Sequence, residues 1–223
     1  MKRAFEVIWK TGNLITSFDG GNIFRPHCAT SPGKRSTKTM GGWWHVDQGR
    51  RKRGRHAIQG FVSLTPADAH TGGLCVVPGS HRGHDELMSY AAMNDIDYVA
   101  VPAPALNPAL RGAVLIGCEA GDLVLWDSRT IHCNTPALTE AKDAAAGSNE
   151  LLRAVAYVCM TPKRWASRAV LRDRRVAFAA GIGSTHWPHE FQPIAPTNHA
   201  LATVSEVQAA LDGAGWKVAE LVG

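Results

Sequence analysis

Short runs of β-forming residues, each cut off by proline, glycine or aspartate, constrain this chain more than any other feature. Residues 57–65 (AIQGFVSLT) stop at Pro66, and residues 74–77 end at Pro78-Gly79. Residues 113–116 and 123–126 flank the turn Glu119-Ala120-Gly121-Asp122, and residues 152–160 are stopped by Pro162. Strands this short between such turns predict a mainly β fold, an antiparallel sandwich or barrel. The 22 glycines and 12 prolines suit that class better than a helical bundle. Helices are expected at the periphery, over 84–93, 164–180 and 204–211, the last with Ser205 as N-cap and Gly213 as stop. Without βαβ alternation, a doubly wound fold is disfavoured. Residues 29–42 and 140–147 read as loops, the second with room for a short helix.

At 223 residues the chain predicts a single domain over 1–223, with a core at about 43–162 and a C-terminal helical or lid segment at 163–223. A hydrophobic content of 45% is enough for a substantial core. The net charge of +5 is a mild bias and does not call for nucleic acid. Much of it sits in Arg50-Arg51-Lys52-Arg53-Gly54-Arg55, either a solvated loop or a contact for an anionic substrate. Five cysteines without a CxxC pair argue against a disulfide framework or a zinc knuckle. No segment approaches the roughly 18 apolar residues of a membrane span. A soluble cytoplasmic protein is expected.

The histidines carry the chemical information. His45 and Asp47 form an H-x-D pair. On an extended chain both side chains leave the same face, with Cα atoms about 6.5 Å apart, so an imidazole and a carboxylate can hold one cation. A third ligand must come from elsewhere, and His132, at the end of GDLVLWDSRTIH, is the natural candidate. Two histidines and one carboxylate on one face of an octahedron leave three positions open, as non-haem iron(II) oxygenases require. A structural zinc site would close its fourth position. Arg153 falls on a predicted strand 21 residues beyond His132 (153 − 132). Its planar fork suits the distal carboxylate of 2-oxoglutarate better than a lysine point charge.

The segments WWHVDQ (43–48), GFVSLTPADAHTGGLCVVPGSH (60–81), GDLVLWDSRTIHCNTPA (121–137) and LLRAVAYVCMTP (151–162) resemble the phytanoyl-CoA dioxygenase family of 2-oxoglutarate-dependent oxygenases, in the family's order. The resemblance implies a double-stranded β-helix, a jelly roll of cupin-like form, with the metal inside. It puts His45, Asp47 and His132 at the iron(II) positions and Arg153 at the 2-oxoglutarate carboxylate. It places Asn134, Gln59 and Phe61 along the co-substrate pocket. The implied reaction oxidises a C–H bond of a small organic substrate with O₂, coupled to decarboxylation of 2-oxoglutarate to succinate. Because Asp47 is present where related iron halogenases carry a small residue, hydroxylation is favoured over halogenation. The spacing from His132 to Arg153 is longer than the family's usual one, which implies an insertion at 139–150; if the insertion lies elsewhere, Lys163 or Arg164 takes the role. The alternative reading is a non-catalytic or 2-oxoglutarate-independent jelly-roll metalloprotein.

Other features stay open. His81 is expected to make a structural hydrogen bond at the barrel rim, with His70 and His84 beside it. His27 reads as a packed or surface residue. Residues 184–193 (STHWPHEFQP) suit a substrate lid and C-terminal packing equally. Trp43, Trp44 and Trp126 suit a core, with Trp44 and Trp126 close enough to the ligand strands to wall a site. Cys133 has no assigned role. The substrate itself is not readable, because specificity in such folds lives in variable loops.

Overall fold

A computed structural model describes residues 1–25, 39–90, 97–101, 108–139 and 151–194. His27, Cys28, the helix expected over 204–211 and the insertion at 140–150 lie outside these residues. Twelve strands are described, in chain order: β1 (Leu14–Thr16), β2 (Gly21–Phe24), β3 (His45–Val46), β4 (Ile58–Ser63), β5 (Gly73–Val76), β6 (Val99–Ala100), β7 (Val114–Leu115), β8 (Leu123–Asp127), β9 (His132–Thr135), β10 (Arg153–Pro162), β11 (Gly183–Ser184) and β12 (Pro193–Ile194). Three α-helices accompany them: α1 (Lys2–Trp9), α2 (His84–Tyr90) and α3 (Arg168–Ala179).

One sheet runs β6-β3-β9-β5-β7 and the other β1-β10-β4-β8, with β2 also paired to β10. Taken in chain order, β2, β3, β4 and β5 alternate between the two sheets, and β7, β8, β9 and β10 alternate back. A chain wound this way is a double-stranded β-helix, the expected jelly roll, and its helices are few and short. The recorded pairings are antiparallel.

The chain clusters into two compact units. The first gathers Met1–Gly20, Ala57–Gly60 and the described residues from Tyr157 onward; the second gathers the described residues of Gly21–His56 and Phe61–Ala156. Strands β4 and β10 contribute residues to both. In the first unit, β1 pairs with the end of β10 (Leu14↔Pro162 to Thr16↔Met160). Helix α1, not anticipated from the sequence, buries Phe5 and ties Trp9 Nε1 to the Met160 carbonyl at 2.7 Å. Trp187 is fully buried against Ala57 and Cys159, and His189 Nδ1 lies 3.2 Å from Thr161 Oγ1. The 184–193 segment is therefore packed into the body of this unit. Helix α3 starts at Arg168 because Ser167 caps it, its Oγ accepting from Val170 N–H at 3.2 Å.

In the second unit, Val46, Val77, Met88, Val101, Leu110 and Ile131 form a buried cluster, with Trp44 packed against it. Trp44 thus belongs to the core, and Trp43 points the other way, as alternation requires. Strand β8 ends at Asp127, so His132 does not close that strand but opens the next. The reason is a tight turn: Asp127 takes a bidentate ion pair from Arg129 at 2.8 Å, and Thr130 N–H donates to the Asp127 carbonyl at 2.8 Å. The four described cysteines are free, and no helix among the described residues is long and apolar enough to cross a membrane.

Candidate metal centre

Antiparallel pairing of β3 with β9 sets His45 opposite His132. Asp47 follows β3 directly, and its N–H donates to the Ser128 carbonyl at 3.1 Å, in the turn leading into β9. His45 Nε2 lies 3.3 Å from Asp47 Oδ1, and His132 Nε2 lies 3.1 Å from Asp47 Oδ2. One ligand atom from each of the three residues falls within 4.8 Å of the others, and both rings are buried. All three candidates share the second unit.

The remaining nitrogens orient the rings. His45 Nδ1 lies 3.1 Å from the Trp43 carbonyl, and His132 Nδ1 lies 2.9 Å from the Thr130 carbonyl. A carbonyl only accepts, so each ring carries a proton at Nδ1 and presents Nε2 to the carboxylate. Both histidines use the same device, the carbonyl two residues upstream. Burial works against a charged His132, but the charge and hydrogen bond of Asp47, with the Thr130 carbonyl, outweigh it and raise the pKa of His132 above its ordinary value. The carboxylate therefore draws positive charge to the point between the two Nε2 atoms. This donor set fits a divalent metal held by three protein ligands, with further coordination positions left for small molecules.

Aromatic rings surround the set. Trp43 and Tyr98 stack on the His45 ring at centroid distances of 4.9 and 4.4 Å. Tyr98 holds a φ of 71°, a strained value for a bulky residue. Trp126 packs against His132 at 5.5 Å and against Phe61 at 6.0 Å.

Arg153, at the start of β10, is only 1% exposed. Its guanidinium carbon lies 5.1 Å from the Phe24 ring and 5.0 Å from the Phe61 ring, and Nη1 donates to Asn22 Oδ1 at 3.2 Å. A Cβ on Gly73 would stand 3.2 Å from Arg153 Nε, so the glycine makes room for the side chain. On the β5–β9 ladder Gly73 faces Thr135 and Val76 faces His132. The Arg153 seat at Gly73 and the candidate ligand His132 are thus three residues apart, about 10 Å along the strands. Asn134 lies between them, buried, on the same face as His132 by alternation. Gln59 is buried in the first unit, where Lys163 and Arg164 also belong.

Gln48 escaped the sequence reading, although it stands in WWHVDQ. It is fully buried; its Oε1 accepts from Ser128 Oγ at 2.8 Å, and its Nε2 donates to the carbonyls of Lys52 and Gly54 at 2.9 and 2.8 Å. Its own carbonyl meets His84 Nε2 at 2.8 Å. His84 thus makes a buried structural bond to the segment that follows Asp47. Lys52 Nζ pairs with Asp97 Oδ2 at 2.6 Å, so part of the basic run serves to hold the loop. Tyr98, Asn22 and Phe24 carried no signal in the linear order, and Gly73 only its place in a glycine doublet.

The family model described as phytanoyl-CoA dioxygenase (PhyH) matches residues 28–142. The chain is 28% identical over 200 residues to Ava biosynthesis cluster protein O of Aspergillus versicolor, covering 84% of this chain and 59% of that protein. It is also similar to the crystal structure of EvdO2 from Micromonospora carbonacea var. aurantiaca complexed with 2-oxoglutarate, with 20% identity, a TM-score of 0.44, and coverage of 72% of this chain and 58% of that one. EctD from S. alaskensis, crystallised with 2-oxoglutarate and 5-hydroxyectoine, gives 19% identity, a TM-score of 0.39, and coverage of 64% and 45%. The chain thus spans under two thirds of the length of each of these relatives.

Proposed function

This chain belongs to the phytanoyl-CoA dioxygenase family, and on that footing we propose that it is an iron(II)- and 2-oxoglutarate-dependent dioxygenase that hydroxylates a C–H bond of a small organic substrate. The observation that carries the reading is the buried meeting of His45, Asp47 and His132 on paired strands. When bound there, iron(II) supplies activation of O₂ coupled to decarboxylation of 2-oxoglutarate to succinate.

The chain's own residues do the rest. His45 and His132 offer neutral Nε2 donors held in place through Nδ1, and Asp47 supplies the negative charge. Asp47 also occupies the position a halide would need, which favours hydroxylation over halogenation. Arg153 binds the distal carboxylate of 2-oxoglutarate with its fork, and its burial between Phe24 and Phe61 strengthens that charge-assisted contact. The rings of Trp126 and Phe61 link His132 to the Arg153 guanidinium, an arrangement that suits a five-carbon dicarboxylate reaching from metal to guanidinium. Asn134 and Phe61 line the space between; no co-substrate role is proposed for Gln59. Trp43 and Tyr98 wall the His45 side and exclude water.

The test is succinate formation from 2-oxoglutarate under iron(II), ascorbate and air. The wild type is expected to turn over slowly even without substrate, and Asp47→Ala to fall to background with metal binding lost. A wild type that binds iron but neither binds nor consumes 2-oxoglutarate would support a 2-oxoglutarate-independent metalloprotein instead.

A further inference from the structure

We propose that the indole N–H of Trp126 is a hydrogen-bond donor to a carboxylate oxygen of the bound 2-oxo acid; the inference rests on the co-substrate reading above. Among the described residues none accepts from Trp126 Nε1, although that nitrogen is shut off from solvent. Native proteins leave few buried donors unsatisfied, and an orphan in a candidate site points to a partner that arrives with the ligand.

The place of the ring says which partner. Trp126 touches His132 at 5.5 Å on the metal side and Phe61 at 6.0 Å, and Phe61 in turn lies 5.0 Å from the Arg153 guanidinium carbon. The series His132, Trp126, Phe61, Arg153 therefore runs from the metal end of the pocket to its cationic end, all within the second unit. A dicarboxylate held at both ends passes along this series, and its four oxygens offer more lone pairs than a metal and one guanidinium consume. A phenyl ring would wall the same space equally well. What tryptophan adds is one donor, and a carboxylate is the acceptor that gains most from it. In this reading Trp126 is a binding residue that fixes the co-substrate between its two anchors.

The experiment uses zinc-substituted full-length protein labelled with ¹⁵N at tryptophan. The Trp126 indole resonance, identified by its loss in Trp126→Phe, is expected to move downfield on addition of 2-oxoglutarate. Calorimetry on Trp126→Phe should give 2-oxoglutarate binding about tenfold weaker than wild type, with metal affinity unchanged. If Trp126→Phe does not fold, the resonance is assigned in the wild type through its contacts with His132, and the shift alone decides. A wild type that binds 2-oxoglutarate with the indole resonance unmoved overturns this inference and leaves the co-substrate reading standing. Equal affinity in the phenylalanine variant does the same. A wild type that binds zinc but no 2-oxoglutarate overturns both.

Discussion

Arg153 and Gly73 show how one residue's chemistry depends on another's lack of a side chain. Gly73 holds a φ of 154° and lies against the near part of the arginine, so a methyl group there crowds Nε and makes the side chain give by a few tenths of an ångström. Gly73→Ala should cost roughly 1–3 kcal/mol of stability through backbone strain and crowding. It should also weaken 2-oxoglutarate binding about tenfold, with metal affinity kept; urea denaturation and anaerobic titration measure the two. Unchanged 2-oxoglutarate affinity would mean that Gly73 does not set the position of the Arg153 guanidinium. Cysteine chemistry is also set locally: burial raises the Cys133 thiol to about 11 and the Cys159 thiol well above its usual value. Both should resist alkylation at pH 8 in the folded protein. The pair His45 and Asp47 was legible because two residues on extended chain keep their spacing in any sheet. Gly73 was not, since nothing near it in the chain mentions Arg153.

Between residues and fold stands the β8–β9 turn, which delivers His132. Asp127 braces it, accepting from the Arg129 backbone N–H at 3.0 Å and from the guanidinium at 2.8 Å. Burial raises the Asp127 pKa, but the Arg129 bonds and charge outweigh it, and the folded value lies below the ordinary carboxylate one. A lowered folded pKa contributes stability that is complete above the unfolded value near 3.9 and is lost as pH falls through the folded value. Asp127→Asn should therefore cost about 1–2 kcal/mol at pH 7, with the gap from wild type closing below about pH 4. Urea midpoints followed downward from pH 7 read this directly; a gap that stays constant through the whole acid range would assign the loss to packing. Strands β4, β5, β7, β8 and β10 were legible from β-forming runs between breakers. Strand β9 was hidden because Ser128-Arg129-Thr130 reads as a continuation of β8 until the Asp127–Arg129 pair is seen. Helix α3 starts later than its composition suggests, at the Ser167 cap.

For the molecule as a whole, the winding of the chain between two sheets brings residues 45 and 132, which are 87 positions apart (132 − 45), into register. A metal that binds this folded arrangement and not the unfolded chain adds stability by mass action, about 2.7 kcal/mol at a hundredfold excess over Kd. Manganese(II) or iron(II) under anaerobic conditions should raise the denaturation midpoint, EDTA should reverse it, and Asp47→Ala should abolish the response. An Asp47→Ala protein that responds like wild type would place the metal elsewhere. From the amino-acid order alone came the mainly β class, the H-x-D pair and the later histidine and arginine, because turn breakers, alternation and donor chemistry are local properties. Only the tertiary structure decided that the histidines face each other, that carbonyls two residues upstream orient both rings, and that a glycine and two phenyl rings seat Arg153. It also left an indole N–H waiting beside them. Those facts depend on strand register and on contacts between distant segments, which the packing of two sheets creates and no stretch of sequence contains.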